Sequence, residues 1–148
     1  METLAFNLDI AASAATVWNV LFEKDSYEQW TKPFSPGSTY KGRFALGERV
    51  HFLSSEPGGM YSDIEYCVPG ELLVIRHLGV LSPEGEEVPP AQSGGAWSDA
   101  RESYRLTPTS DGVRLDVSVD VEPAYVDFMR VTFTAALDIV KELSHNQS

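Results

Sequence analysis

The longest predicted helix of this chain is the stretch Pro123-Ala-Tyr-Val-Asp-Phe-Met-Arg-Val-Thr-Phe-Thr-Ala-Ala-Leu-Asp-Ile-Val-Lys-Glu-Leu143. Proline is favoured at a first helical position because the N–H that it lacks would have no partner there. Neither glycine nor proline interrupts the residues that follow it. Polar side chains recur three or four residues apart, which predicts one solvated stripe on a largely covered helix. That stripe consists of Asp127, Arg130, Thr134, Asp138 and Lys141.

The side opposite the stripe carries unusually small residues. Helical periodicity places five residues there: Tyr125, Met129, Thr132, Ala136 and Leu143. A helix that only fills a core more often has Leu or Phe at such positions, so Thr132 and Ala136 favour a face that borders a cavity. The alternative is that bulky sheet residues fill the space and that Thr132 bonds back to its own helix. The helix sequence alone fits both.

Length and composition predict one globular domain over residues 1–148. A chain of 148 residues is the size of a single domain. Its hydrophobic fraction of 43% is enough for a sizeable core and argues against disorder. The net charge of −11 argues against nucleic acid and against an anionic membrane surface as partners, since both require clustered Lys and Arg.

Targeting signals and membrane spans are absent from the sequence pattern. The first residues show no basic region followed by an apolar run. No stretch of about eighteen apolar residues occurs, which predicts no membrane insertion. A single cysteine, Cys67, allows no internal disulfide. We therefore expect a cytoplasmic protein.

Before the long helix, apolar and polar residues alternate with a period of two over most of the chain, as in β-strands. The first strand ends at Ile10, and two short helices follow before Trp30, with Ser13 as the first N-cap and Asp25 or Ser26 as the second. Six further strands are predicted: 38–44, 48–53, 60–68, 71–79, 97–106 and 113–121. Residues 80–95 form a long loop rich in Pro, Gly and Glu, of the kind that often acts as a lid.

This order of elements predicts an α+β fold. Consecutive strands joined by tight turns must be antiparallel. An antiparallel sheet of six or seven strands with one apolar face needs a cover for that face. The long C-terminal helix is the only predicted element large enough, so we expect a curved sheet wrapped around it, with space for a ligand between them.

Short motifs along nearly the whole chain carry a family resemblance. They are Ile10-Ala-Ala-Ser-Ala-Ala-Thr-Val-Trp18, Tyr27-Glu-Gln-Trp-Thr31, the residues from Phe44 to Gly47, Gly59-Met-Tyr-Ser62, Ile75-Arg-His-Leu-Gly79 and Trp97-Ser-Asp-Ala-Arg-Glu-Ser-Tyr104. With these motifs the chain resembles the SRPBCC, or START-like, superfamily and its helix-grip (Bet v-like) fold. Within the superfamily it is similar to bacterial relatives of the activator of the heat-shock chaperone ATPase.

The resemblance implies a fold more strongly than a function. Members of the superfamily bind lipids, sterols, hormones and polyketides, and some catalyse cyclisation or hydrolysis. Because one fold hosts many functions, the function has to be argued from the site.

Residues on the inward strand faces and on the long helix are the predicted contacts of a small hydrophobic or amphipathic ligand. An apolar cavity with a few convergent polar groups suits such a molecule. The candidates are Ser62, Ile64, Tyr66, His77, Trp97, Glu102, Tyr104, Met129, Thr132 and Ala136.

Three of these residues are also candidates for catalysis. His77 and Glu102 lie on strands predicted to be neighbours, and a paired carboxylate would orient the imidazole as a general base. Tyr104 follows on the same strand face as Glu102. The alternative is that His77 is hydrogen-bonded in the core and that Glu102 bonds a tyrosine.

Other kinds of site find no support in the sequence. His51, His77 and His145 lack a spacing typical of metal ligands, so no metal is expected. No P-loop, dinucleotide fingerprint or nucleophile elbow occurs, so no cofactor is expected. Trp18 and Trp30 are interpreted as packing residues, and Cys67 as an outward-facing or singly packed thiol. A homodimer is compatible with the sequence, since the outer sheet face is expected to carry Tyr61, Cys67 and Leu78.

Three functions are compatible with the sequence. The first is a binding protein whose cavity is gated by the loops 31–38 and 80–95. The second is a cyclase or hydrolase that uses His77, Glu102 and Tyr104. The third is a chaperone ATPase-activating cofactor, which would need an exposed protein-binding surface rather than a cavity.

Overall fold

The computed structural model describes residues 1–89 and 99–147. Its strands are β1 Glu2–Ile10, β2 Thr39–Lys41, β3 Arg49–Leu53, β4 Gly59–Val68, β5 Leu72–Leu81, β6 Arg101–Pro108 and β7 Val113–Val121. Its helices are α1 Ala14–Phe22, α2 Lys24–Trp30 and α3 Val126–Gln147, and a 3₁₀ turn at Pro123–Tyr125 leads into α3. The predicted order of elements is confirmed.

The seven strands form one curved antiparallel sheet in the order β1-β7-β6-β5-β4-β3-β2. From β2 to β7 every strand pairs antiparallel with its neighbour in sequence. The first strand closes the far side, pairing with β7 from Glu2↔Val121 to Ile10↔Val113. The predicted α+β class, with a long C-terminal helix against the sheet, is confirmed.

The two short helices are separated by one residue, Glu23, in extended conformation. Ser13 caps α1 as predicted, since its side chain accepts a hydrogen bond from the Thr16 N–H. The prediction of Asp25 or Ser26 as the cap of α2 is wrong, because Glu23 holds that position without a side-chain bond. Ser26 instead donates its hydroxyl to the carbonyls of Asn19 and Glu23, and so satisfies the end of α1.

Burial along α3 is uneven. The predicted polar stripe is exposed throughout. The buried residues all lie in the later part of the helix: Thr132, Phe133, Ala136, Leu137, Val140 and Ser144. This part packs against α1, α2 and β1. The first six residues of α3 include none that is buried, although Val126, Phe128 and Met129 are apolar.

An irregularity in β4 changes which of its residues face the core. Strict alternation predicts Ser62, Ile64 and Tyr66 on one face. The pairing of β4 with β5 shifts register between Ile64 and Tyr66, as at a β-bulge. Ser62 and Ile64 are buried as predicted, but Tyr66 is 48% exposed. The following Cys67 packs against the core instead, because one extra residue exchanges the two faces.

The segment after β5 begins later than predicted. Strand β5 runs to Leu81, so Val80 and Leu81 belong to the sheet rather than to the loop. The chain then folds back, and the Val88 N–H donates to the Val80 carbonyl while the Tyr61 hydroxyl donates to the Val88 carbonyl. Residues 90–95 of the predicted loop lie outside the described residues.

Candidate functional site

A cavity of about 780 Å³ lies between the concave face of the sheet, α2 with the loop after it, and the first half of α3. Its wall is mainly aromatic and aliphatic. Large side chains on it include Tyr27, Trp30, Phe34, Phe52, Met129 and Phe133. Tyr125 and Phe128 also line it yet are 57% and 51% exposed, so they mark its opening to solvent.

The position of α3 creates this space. Phe133 stacks on Phe6 of β1 with ring centroids 5.2 Å apart, and it meets Phe34 edge-on at 4.7 Å. These contacts join the helix to the sheet and to the loop after α2. Because the helix is packed from Thr132 onward, its earlier residues stand over the open part of the sheet. The cavity is therefore bounded by Phe133 at its inner end.

Thr132 and Ala136 do not form the cavity wall. They are only 6% and 0% exposed and are covered by other parts of the protein. The helix lines the cavity instead with Tyr125, Phe128, Met129 and Phe133. Thr132 and Ala136 lie in the later part of α3, which packs against neighbouring elements. Of the five residues placed opposite the polar stripe, only Tyr125 and Met129 border this cavity.

Four polar side chains form a continuous line across β4, β5 and β6. The Ser62 Oγ lies 2.7 Å from His77 Nδ1, and His77 Nε2 lies 3.2 Å from Glu102 Oε1. The Tyr104 hydroxyl donates a hydrogen bond to Glu102 Oε2. The strand register explains the line, because Ser62 pairs with His77 and β6 lies directly beside β5. The predicted contact between His77 and Glu102 is thus present.

Three of the four members of this line border the cavity, namely His77, Glu102 and Tyr104. Ser62 is fully buried and Tyr104 is 2% exposed, whereas the Glu102 side chain, at 21% exposed, is the most accessible member of the line. A carboxylate only accepts hydrogen bonds, so His77 carries its proton on Nε2. In the neutral ring Nδ1 then accepts from the Ser62 hydroxyl. Ser62 does not line the cavity and so serves to orient His77.

Burial and the Glu102 charge act on two tyrosines near this line. Burial raises the pKa of Tyr104 well above its usual value, and the neighbouring Glu102 charge raises it further. Burial likewise raises the pKa of Tyr27, with a second contribution from Glu102. Both phenols are therefore held in their neutral form as hydrogen-bond donors.

The remaining predicted contacts lie in different places. Ile64 is 1% exposed and belongs to the core beneath the cavity. Tyr66 lies on the outer surface because of the bulge in β4. Trp97 lies outside the described residues. Trp30 packs as expected, donating its indole N–H to the Leu21 carbonyl, and it also borders the cavity.

Sequence reasoning missed the wall that comes from α2, the following loop and β3. Tyr27 and Phe34 flank Trp30 and face the cavity, and Phe52 faces it from β3. The spacing of Tyr27 and Trp30 by three residues places them on one helix face, which was the available signal. Phe34 lies in a loop with no periodicity that could have identified it.

The described ranges show neither a metal-binding cluster nor a membrane-spanning helix. Within residues 1–89 and 99–147, no group of three or more His, Cys, Asp and Glu side chains could hold a metal ion. None of the helices in this part of the chain combines the length and the apolar character that a membrane span requires.

The sheet and its long helix define the helix-grip fold. No family model and no curated protein matches the sequence. Among solved structures, protein MLL2253 from Mesorhizobium loti superposes with a TM-score of 0.74 at 14% identity, over 99% of both chains. The Aha1 dimer from Colwellia psychrerythraea gives a TM-score of 0.73 at 15% identity, over 97% of this chain and 96% of that one.

A third similar structure comes from a biosynthetic locus. DynU16, a putative protein in the dynemicin biosynthetic locus, has a TM-score of 0.71 at 12% identity. The match covers 96% of this chain but 46% of DynU16. At these identities the similarities establish the fold alone, and the function depends on the cavity and its side chains.

Raised tyrosine pKa values predict a loss of stability in alkaline solution. Above the ordinary tyrosine value of 10.0 the unfolded chain releases protons that folded Tyr104 and Tyr27 retain. The free energy of unfolding should therefore be unaffected by these groups below about pH 10 and should fall as the pH rises further. Urea denaturation at a series of pH values measures this slope. Tyr104→Phe should reduce the slope, and an unchanged slope in this variant would contradict the assignment.

Proposed function

We propose that this protein binds a small hydrophobic or amphipathic molecule in the cavity between the sheet and α3. The cavity carries the proposal: its volume of about 780 Å³ falls within the range typical of small-molecule sites. Its wall is largely aromatic and aliphatic, and Glu102 and His77 supply the convergent polar groups. Such a combination holds an apolar body and orients one polar end.

The exposed aromatic residues at the opening support the same proposal. Phe128 and Tyr125 keep about half of their surface in water, which is unfavourable unless a ligand or partner covers it. They lie on the same side of α3 as Met129, which lines the cavity. A ligand that enters past them would bury apolar surface on all three residues.

A larger side chain at Met129 should block binding. Met129→Trp adds volume inside the cavity, whereas Val131→Trp adds the same side chain at a position that is 74% exposed and not on the wall. We expect Met129→Trp to weaken binding of the uncharged fluorophore N-phenyl-1-naphthylamine by roughly tenfold or more, through lost volume and overpacking. Fluorescence titration of the wild type and both variants measures this.

Circular dichroism and thermal melts establish that both variants are folded before the titrations are compared. The control Val131→Trp should keep the wild-type affinity. Equal loss of affinity in both variants would place the fluorophore on the helix surface, and no binding to the wild type would remove the proposed function.

The contact between His77 and Glu102 favours one second candidate, a hydrolase. His77 borders the cavity, and its contact with Glu102 orients the ring as in a general base, although its acceptor nitrogen Nδ1 is already bonded to the buried Ser62 hydroxyl and would have to exchange that partner for water. Ser62 cannot act as the nucleophile in this conformation because it is fully buried. A hydrolase would therefore have to activate a water molecule. The catalytic roles of His77, Glu102 and Tyr104 stay a prediction.

If the protein binds its ligand without converting it, His77 and Glu102 should not contribute to the hydrolysis of a small apolar ester. We expect 1-naphthyl acetate to be hydrolysed at equal rates by the wild type, by His77→Gln and by Glu102→Gln. Release of naphthol, followed by absorbance, measures the rate. A wild-type rate well above the uncatalysed one that is lost in both folded variants would favour the enzyme instead.

A further inference from the structure

The charged residues that line the cavity, among those the structure describes, are all acidic. Glu102, Asp120 and Glu122 line the cavity, and within residues 1–89 and 99–147 no lysine or arginine does. The stretch 90–98, which the structure does not describe, contains neither lysine nor arginine in its sequence. A carboxylate or phosphate on a ligand would therefore enter the cavity without a cationic side chain to pair with, apart from a protonated His77.

Glu102 has the geometry to receive a donor from a ligand. Its two oxygens already accept from His77 and Tyr104. A carboxylate offers about four lone-pair positions, so about two remain for further donors. The side chain is 21% exposed and borders the cavity, which brings the remaining positions within reach of a bound molecule. The partners on either side hold the carboxylate in place before a ligand arrives.

Asp120 adds a second negative charge close to the cavity, although its pairing with Thr3 places its side chain on the outer face of β7. Burial alone would raise its pKa, but hydrogen bonds from the Thr3 hydroxyl and from the Arg101 backbone N–H lower the pKa below its usual value. These bonds come from β1 and β6 on either side of β7. The carboxylate therefore keeps its charge in the folded protein.

Aromatic rings line the same cavity as Glu102. Tyr27, Phe34 and Phe52 line the same cavity, and Tyr27 is close enough to Glu102 for the carboxylate to affect its pKa. The faces of aromatic rings attract cations, and the attraction strengthens where water is excluded. A wall that combines rings with a preoriented carboxylate is suited to a cation with an apolar body.

We propose that the ligand of this cavity is a hydrophobic amine in its protonated form, with the ammonium nitrogen on Glu102 and the apolar part against the aromatic wall. This inference rests on the proposed function, since it names the class of molecule that the same cavity takes. The protein's net charge of −11 also favours the approach of a cation.

Three ligands with the same ring system test the proposal on the wild-type protein. They are 1-naphthylmethylamine, 1-naphthalenemethanol and 1-naphthoate, which are a cation, a neutral donor and an anion at pH 7. Charge-assisted hydrogen bonds contribute more than neutral ones, so the amine should bind roughly tenfold or more tightly than the alcohol, and the acid most weakly. Isothermal titration calorimetry at fixed ionic strength measures the three affinities.

Two variants separate a local effect of Glu102 from an effect of overall charge. Glu102→Gln removes the carboxylate and should reduce the affinity for the amine to near that for the alcohol, while the affinity for the alcohol is kept. Glu71→Gln removes one negative charge from an exposed position outside the cavity wall and should leave the order of affinities unchanged. Thermal melts verify that both variants are folded.

The outcomes distinguish the two proposals. If the alcohol or the acid binds the wild type at least as tightly as the amine, the amine proposal is overturned while the cavity remains a binding site. The same conclusion follows if folded Glu102→Gln retains the preference for the amine. If none of the three compounds binds, the proposed function itself fails.

Discussion

The packing of the second half of α3 against α1, α2 and β1 determines where the cavity of this protein lies. From Thr132 to Ser144 the helix buries one side, and Phe133 fixes it to Phe6 of the sheet. An α-helix is stiff over this length, so its first turns must continue in the same direction and pass over the concave sheet without touching its floor. The cavity is the space that this constraint leaves. Small residues at Thr132 and Ala136 fit this packed half.

The polar line on the sheet is costly unless all its members are satisfied. Leaving a buried histidine or tyrosine without a hydrogen-bond partner would lower the stability of the folded protein by about 1–3 kcal/mol. Ser62, His77, Glu102 and Tyr104 therefore depend on one another as partners. Their order also sets a direction, because donors point from Ser62 and Tyr104 toward the carboxylate. Glu102 thus collects the hydrogen bonds of the line and remains the member with free acceptor capacity at the cavity. In the proposed function, that position lets Glu102 accept a hydrogen bond from a ligand and orient it.

Much of the fold could be predicted because its signals are periodic. The alternation from Val113 to Val121 and the stripe from Asp127 to Lys141 each reflect one buried face, and the structure has both. The contact of His77 with Glu102 was predictable from neighbouring strands. Tyr66 was not, since a bulge that reverses the faces of β4 leaves no mark in the sequence. Helical periodicity shows that Thr132 and Ala136 lie on the covered side of α3. It does not show whether that side packs against other elements or borders a cavity.

The most direct test of the cavity is a nuclear magnetic resonance titration of the ¹⁵N-labelled protein with N-phenyl-1-naphthylamine. If the ligand lies between the sheet and the first half of α3, the amide shifts should change most at Phe34, Phe52, Glu102 and Met129. Amides around the exposed Leu46 and Tyr66, which lie away from the cavity wall, should change least. The largest changes at Leu46 and Tyr66, or none at the four cavity residues under saturating ligand, would contradict the account.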